Sequence, residues 1–245
     1  MIPEDKITEF VKRARHVAGS NLESIILYGS ATTGEYDPEF SNLNLFCVLR
    51  DSSFAELAKF GPVAKWWDKQ KQPPPLIMTR GELEHSTDVF TIELLDMKQH
   101  HRVLFGEDVL ATLQVAMDLH RVQVEYELRE KLVLLRRQMV LAAESDKRLW
   151  ELLLRSAPSF VTLFRHAAIA LGQPANDGKR QAVEALSKVM AFDCSSLMQV
   201  LDVREHKSER NKIDVRDLAS RYLAAIEHVT VAVDKAMESG TLGHS

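Results

Sequence analysis

The sequence predicts an α+β protein, with a mixed sheet and flanking helices in its amino-terminal part and an antiparallel helical bundle in its carboxy-terminal part. Short β-rich apolar runs alternate with helical patterns in the first hundred residues, and no strand pattern of any strength follows. The 245 residues suffice for two domains that each bury a core. We therefore predict domains over residues 1–106 and 107–240, with a flexible tail at 241–245.

Composition and charge are those of an ordinary globular protein. Hydrophobic residues make up 45% and charged residues 27% of the chain. The formal net charge is -4, whereas a protein whose main partner is a nucleic acid is more often basic, so nucleic acid is not the expected partner. The amino terminus lacks the apolar core of a signal peptide, and no apolar run is long enough to span a bilayer. Two lone cysteines, Cys47 and Cys194, are typical of a reducing interior, so we expect a cytoplasmic protein without a membrane partner.

The first elements of the amino-terminal domain have clear local signals. Apolar residues recur every three or four positions over residues 4–18, which predicts an amphipathic helix. Two strand candidates follow at 24–28 and 43–49, and the polar loop between them carries Gly34.

The rest of this domain is predicted from weaker patterns. A helix is expected from residue 53 towards residue 69, with an interruption near Gly61-Pro62. A third strand candidate at 76–78 precedes a short polar helix at 80–85. The run at 89–95 predicts a fourth strand, or a strand that continues into a helix.

Helical periodicity dominates after residue 107. A long helix carries Leu128, Leu132, Leu135 and Met139 on one face. Four further helices are predicted near residues 149–171, 178–190, 195–204 and 215–237.

The most informative stretch joins the first two strand candidates. Gly29 and Ser30 directly follow the first strand, and Gly29 lets the backbone approach a phosphate because it has no Cβ. Ser30 and the neighbouring backbone N–H groups can donate hydrogen bonds to phosphate oxygens. Asn42 and Asn44 stand at the start of the second strand. Since residues separated by one on a strand point to the same face, both side chains are expected to project beside this turn.

These residues resemble the signature of the nucleotidyltransferase superfamily, which includes the aminoglycoside nucleotidyltransferases. The family pattern is a strand, a Gly-Ser turn, about ten residues and then Asp-x-Asp on the next strand. The resemblance is close over residues 24–49. It implies that Gly29, Ser30, Asn42 and Asn44 lie at a nucleotide-binding site, where the family transfers a nucleoside monophosphate from a nucleoside triphosphate. In the family, two magnesium ions are held at the aspartate positions.

This sequence departs from the family at the metal positions, because Asn42 and Asn44 replace both aspartates. Magnesium prefers carboxylate and phosphate oxygens, and an amide oxygen coordinates it without neutralising charge. Each lost carboxylate removes several kcal/mol of attraction even at an effective dielectric constant of about 20. We therefore expect weak metal binding at these positions and reduced or lost nucleotidyl transfer. We also expect that a nucleotide- or phosphate-binding cleft is retained, as in a pseudoenzyme. Magnesium is the expected cofactor only if the protein is active.

The resemblance also implies a third acid, which comes from a neighbouring strand and can act as a base on the acceptor hydroxyl. Glu93 lies in the strand candidate at 89–95, at about the family's sequence distance. Asp88 and Asp96 are alternatives. A surface carboxylate, or an acid at the start of a helix, explains Glu93 equally well.

Two other functions stay open. An active metal-dependent nucleotidyltransferase, acting on a small hydroxyl compound or a protein, would take its metal ligands from Asp37, Glu39 or Glu93. A non-catalytic interaction protein would instead use its helical domain as the binding surface, and the chain is compatible with a homodimer. An exposed apolar patch on the bundle would favour this second alternative.

Overall fold

The structure, a computed structural model, describes residues 2–174 and 178–238. The flexible tail predicted at 241–245 lies outside the described residues. Contacts within the chain define two compact units, one ending at Met117 and the next beginning at Asp118. The first unit contains a mixed four-stranded sheet with flanking helices, and the second is built from helices, which confirms the predicted α+β class.

The first unit contains the following elements: α1 (Glu4–Ala18), β1 (Leu22–Tyr28), β2 (Asn44–Leu49), α2 (Phe54–Lys59), α3 (Gly61–Lys69), β3 (Leu76–Thr79), α4 (Arg80–His85), α5 (Thr91–Gln99) and β4 (His101–Gly106). Helices α1 and α4 have the predicted bounds. The helix expected from residue 53 to 69 is divided into α2 and α3 at Phe60, and a proline occupies the first turn of α3, where its missing N–H is not needed.

The strands lie in the order β3-β2-β1-β4. Strands β2 and β4 are both antiparallel to β1, and β3 is parallel to β2. In this register the last residue of β1, Tyr28, is paired with the first residue of β2, Asn44. The turn that follows β1 therefore begins beside the side chains at the start of β2.

Each face of the sheet has its own hydrophobic core, because successive strand residues point to opposite sides. Ile25 and Leu27 face α1 and α3, where the rings of Phe10 and Trp67 lie 5.0 Å apart. Ile26 faces the other side. The core on that side is formed by Ile26, Phe46, Val48, Leu83, Leu94, Met97, Val109, Leu110 and Leu113.

The fourth strand predicted at residues 89–95 is wrong, because this segment forms a turn followed by α5. The amides of Val89 and Phe90 both donate to the carbonyl of Ser86, which closes the turn. Thr91 is buried and its hydroxyl donates to the carbonyl of Ala116, 3.2 Å away. Packing of α5 against the sheet overrides the β propensity of the run.

Strand β4 was not predicted from the sequence. It begins at His101 and ends at Gly106. Its residues are exposed or half-buried along its length, so it lacks the apolar alternation that marks a strand in a sequence.

Gly106 closes the sheet at a tight contact with β1. Its φ is +78°, and a Cβ at this position would lie 1.9 Å from the carbonyl oxygen of Glu23. Ser24, fully buried beside it, donates hydrogen bonds to the carbonyls of Phe105 and Glu107 at 3.2 and 2.7 Å. The segment after Gly106 stays with the first unit up to Met117, since its buried leucines complete the second core.

The second unit contains α6 (His120–Ala142), α7 (Asp146–Ala170), α8 (Lys179–Met190), α9 (Ser195–Arg204) and α10 (Val215–Glu238). Helix α7 packs against the other four helices and carries the largest share of the core. Tyr222 of α10 packs edge-on against Phe160 of α7, with the ring centroids 6.1 Å apart. His120 and His166 are both buried, and their rings are joined by a hydrogen bond of 2.9 Å.

No helix among residues 2–174 and 178–238 is long and apolar enough to cross a membrane. Both cysteines are free thiols, Cys47 in the sheet core and Cys194 half-buried at the start of α9.

We expect Gly106→Ala to destabilise the first unit by more than about 2 kcal/mol, because the new methyl group meets a backbone carbonyl and the residue keeps a positive φ. Chemical denaturation followed by circular dichroism measures this change. Gly19→Ala is the matched control, since Gly19 has a φ of +52° but no atom within 4 Å of the added Cβ. Equal losses of stability in the two variants would contradict the close contact between Gly106 and the carbonyl of Glu23.

Candidate functional site

The turn after β1 is fixed at both ends by hydrogen bonds. Residues Gly29–Thr32 form a single 3-10 turn, and Gly29 has a φ of +79°. The Thr32 hydroxyl contacts two carbonyl oxygens, that of Gly29 at 2.8 Å and that of His100 at 3.0 Å. The turn is thereby attached to the residue that precedes β4. Ser30 is half-buried in this turn, and its carbonyl accepts a hydrogen bond from the Thr33 hydroxyl.

The side chain of Asn44 lies directly against this turn. A Cβ built on Gly29 would be 3.0 Å from Nδ2 of Asn44, so only a glycine fits here without moving the amide. Asn44 is paired with Tyr28 and shares a face of the sheet with Phe46 and Val48. The structure thus brings together two of the predicted site residues, Gly29 and Asn44.

Asn42 is placed differently from the expectation. Strand β2 begins at Asn44 rather than at Leu43, so Asn42 belongs to the preceding loop, where its side chain is exposed. The strand alternation used to predict its direction therefore does not extend to it. The amide of Leu43 donates to Oε1 of Gln72 at 2.7 Å, which holds the chain between the two asparagines.

Asp37 organises the loop between β1 and β2. Its Oδ1 accepts the amides of Glu39 and Phe40 at 2.7 and 3.2 Å, and its own amide donates to the hydroxyl of Ser41 at 3.0 Å. This is the local turn chemistry expected of aspartate. The Asp37 carboxylate therefore stabilises the loop, and Glu39 is exposed.

Glu93 lies in the first turn of α5, not on a strand, which corrects the element assigned to it from the sequence. Its charge still acts on the site. Burial raises the pKa of the Tyr28 hydroxyl, and the nearby Glu93 carboxylate raises that pKa further. Of the two alternatives, Asp88 is exposed in the turn before α5, and Asp96 is half-buried within α5.

The side chains of this region do not fit a magnesium site. The two positions that follow the family pattern offer neutral amides, and β3, the other neighbour of β2, consists of Leu76, Ile77, Met78 and Thr79 without a carboxylate. Within the described part of the chain, no three side chains of His, Cys, Asp or Glu are grouped so that they could hold a metal ion. Magnesium bound by hard, charged oxygens needs such a group.

Sequence reasoning missed two residues that shape the site, Tyr28 and Gln72. Tyr28 is the last residue of the predicted strand, and its alternation with Ile26 already places it on the face that Asn44 shares. Gln72 gave no usable signal, because its contact with Leu43 depends on the path of the chain before β3.

We expect Gly29→Ala to shift the side-chain amide resonances of Asn44 in an NMR spectrum, because the added methyl group displaces that amide. Gly34→Ala is the control. Gly34 has nearly the same backbone angle, with a φ of +77°, but nothing lies within 4 Å of its new Cβ. Both variants should lose about 1 kcal/mol of stability through the strained φ. An Asn44 signal that moves equally in both would contradict the contact.

Tyr28 should ionise at a lower pH after Glu93→Gln, because one of the two causes of its raised pKa is removed and burial remains. A raised folded-state pKa stabilises the fold below the unfolded value of about 10, and this contribution is lost as the pH rises through the folded pKa. Glu93→Gln should therefore also reduce the loss of stability at alkaline pH.

Ultraviolet titration of tyrosinate in wild type and in the Glu93→Gln variant measures the shift, and Tyr28→Phe identifies the signal. Glu84→Gln, a change at an exposed acid of α4, is the control that should leave the titration unchanged. An unaltered Tyr28 titration in Glu93→Gln would place the carboxylate away from the hydroxyl.

Known proteins share the type of the amino-terminal domain and the fold of this chain. Residues 5–101 match the family model of the nucleotidyltransferase domain. The fold is similar to the crystal structure of spectinomycin adenyltransferase AAD(9) from Enterococcus faecialis with ATP and spectinomycin. The TM-score is 0.61 and the sequence identity 15%, over 94% of this chain and 99% of that chain. No curated protein matches the sequence. The chain thus contains a nucleotidyltransferase domain at residues 5–101, and its fold is like that of an aminoglycoside nucleotidyltransferase.

Proposed function

We propose that the first unit binds a nucleotide, or another phosphate ligand, beside the turn Gly29–Thr32 and has reduced or lost nucleotidyl transfer. The contact between Gly29 and Asn44 carries this proposal. At this contact, a turn whose backbone N–H groups could bind a phosphate lies beside a neutral amide. The amide occupies the position at which the family has a metal-binding aspartate.

The exchange of aspartate for asparagine changes the electrostatics of the turn in a defined direction. Two aspartates would repel phosphate oxygens unless a cation stood between them. An asparagine amide carries no charge, and its NH₂ group can donate hydrogen bonds to those oxygens. The proposed site therefore favours phosphate without a bridging magnesium ion, whereas the stabilisation that a metal gives to the transfer reaction is weakened.

Calorimetry with ATP and GTP, with and without magnesium, tests this function. We expect the wild type to bind a nucleotide with little dependence on magnesium, because the amides supply no charge to hold the ion. The double change Asn42→Asp with Asn44→Asp should make binding magnesium-dependent, with metal-free binding weakened roughly tenfold by repulsion between carboxylates and phosphates. Tight wild-type binding that strictly requires magnesium would refute the disabled metal site.

Asn211→Asp is the matched control for this experiment. Asn211 is exposed in a 3-10 turn of the second unit. The variant therefore converts the same amide into a carboxylate and adds one negative charge, but outside the candidate site. It should bind nucleotide as the wild type does. Loss of binding in this control would show that net charge, rather than the two site positions, governs affinity.

The alternative of an active enzyme is favoured by one observation, the Glu93 carboxylate close to Tyr28. Labelled ATP with spectinomycin, the compounds bound to AAD(9), gives the first transfer assay. Transfer that is lost in Glu93→Gln but kept in Glu84→Gln would support this alternative. No transfer above background, and no gain with aspartates at positions 42 and 44, would count against it. A cytoplasmic location stays a prediction.

A further inference from the structure

Helix α6 exposes an apolar stripe, defined by Tyr126, Val133, Leu134, Val140 and Leu141, on the surface of the second unit. The exposed fractions of Tyr126, Val140 and Leu141 are 64%, 78% and 74%. Such a row of large apolar side chains in water is costly and marks an interaction site. We propose that this stripe binds the same stripe of a second copy of the chain, with the two α6 helices antiparallel about a two-fold axis.

The apolar residues of the stripe recur at seven-residue intervals, and Glu130 and Arg137 lie between them on the same face. Tyr126, Val133 and Val140 follow one another at seven-residue intervals, and so do Leu134 and Leu141. The face of α6 that packs into its own bundle is a different face from the stripe. It is formed by His120, Val124, Leu128, Leu132, Leu135 and Ala142. One face of the helix is therefore used within the unit, and the other exposes apolar side chains with Glu130 and Arg137 between them.

Ion pairs between α6 and α10 hold the border of the stripe in place. Arg129 contacts Asp234 at 2.7 Å, and Arg136 contacts Glu227 at the same distance. Val231 lies one turn from each of these carboxylates on α10, and it adds a further exposed apolar side chain. Because the arginines are fixed on the side towards α10, they do not cover the apolar row.

The stripe is complementary to itself when the two-fold axis passes between Val133 and Leu134. In that register Val133 faces Leu134 of the second copy, and Tyr126 faces Leu141 of the second copy. A shallow cavity of about 320 Å³ adjoins Leu141, and its wall is lined by Gln138, Ala142, Arg148, Glu151, Leu152 and Arg155. In the proposed register the opposite Tyr126 would lie beside this cavity.

Charges select the same register. With the axis in this place, Glu130 faces Arg137 of the second copy, and the symmetric pair forms on the other side. Arg137 is exposed and makes no ion pair with any residue that the structure describes, and Glu130 contacts only its neighbour Lys131, at 3.3 Å. A parallel arrangement would instead place Glu130 opposite Glu130 and Arg137 opposite Arg137, which is repulsive.

The expected affinity of the dimer follows from the length of helix that the two copies can pair. From Tyr126 to Leu141 the helix extends about 22 Å at 1.5 Å per residue. A contact between two single helices of this length is small, so we expect a weak dimer with a dissociation constant on the order of micromolar. The proposal is independent of nucleotide binding by the first unit.

Sedimentation velocity of the full chain over a range of concentrations tests the dimer. We expect the wild type to dimerise as its concentration rises and Val133→Lys to stay monomeric. Val189→Lys, at an exposed valine of α8, is the matched control and should dimerise as the wild type does. Circular dichroism verifies that each variant is folded. A wild-type protein that is monomeric at every concentration, or a dimer that persists in Val133→Lys, overturns the proposal.

A charge exchange tests the register. Arg137→Glu, and separately Glu130→Arg, should each raise the dissociation constant roughly tenfold, because like charges then face each other across the axis. The double variant Glu130→Arg with Arg137→Glu should recover wild-type dimerisation. Failure of the double variant to recover would refute the antiparallel register.

Disulfide cross-linking gives an independent measure of the axis. In a Cys194→Ser background, Val133→Cys should form a covalent dimer on mild oxidation, since position 133 lies next to the axis and Cys47 is buried. Val189→Cys should not. Equal cross-linking at both positions would indicate random collision and contradict the proposed interface.

Discussion

The antiparallel pairing of β1 with β2 is the constraint on which the candidate site depends. It sets the last residue of one strand opposite the first residue of the next, so that Gly29 begins its turn against the side chain of Asn44. Apolar packing on both faces fixes this register, because a slip by one residue would move each buried side chain into the core on the opposite face, where different residues are packed. The position of the amide is therefore a property of the whole sheet and not of the loop alone.

The same geometry can serve two kinds of chemistry, and the charge at two positions decides between them. With carboxylates beside the turn, a divalent cation would be needed before a phosphate could approach. In the proposed function, an amide would let the turn receive a phosphate directly, and the electrostatic assistance that a bound metal gives to transfer would be absent. The fold places the turn beside the start of β2, while the side chains there determine the chemistry, which is why a likeness to the nucleotidyltransferase domain does not by itself establish catalysis.

Much of this architecture could be predicted from the sequence, because its signals are local. The apolar periodicity of α1, the β-rich run of β1 and the Gly-Ser turn all depend on neighbouring residues. The segment at 89–106 could not be predicted in this way. Its β-prone residues are drawn into α5 by burial against the sheet, and half-exposed β4 acquires its strand conformation by pairing with β1. For the same reason Glu93 was identified as a candidate acid but assigned to the wrong element, and Asn42 was assigned to a strand that begins two residues later.

The hydroxyl of Thr32 joins the turn to the chain between α5 and β4 through the carbonyl of His100. This hydrogen bond connects the turn to the end of α5, the helix whose first turn carries Glu93. The pairing of Tyr28 with His101 joins the same two segments through the backbone. A displacement of α5 would therefore reach the turn by two routes, one through a side chain and one through the sheet.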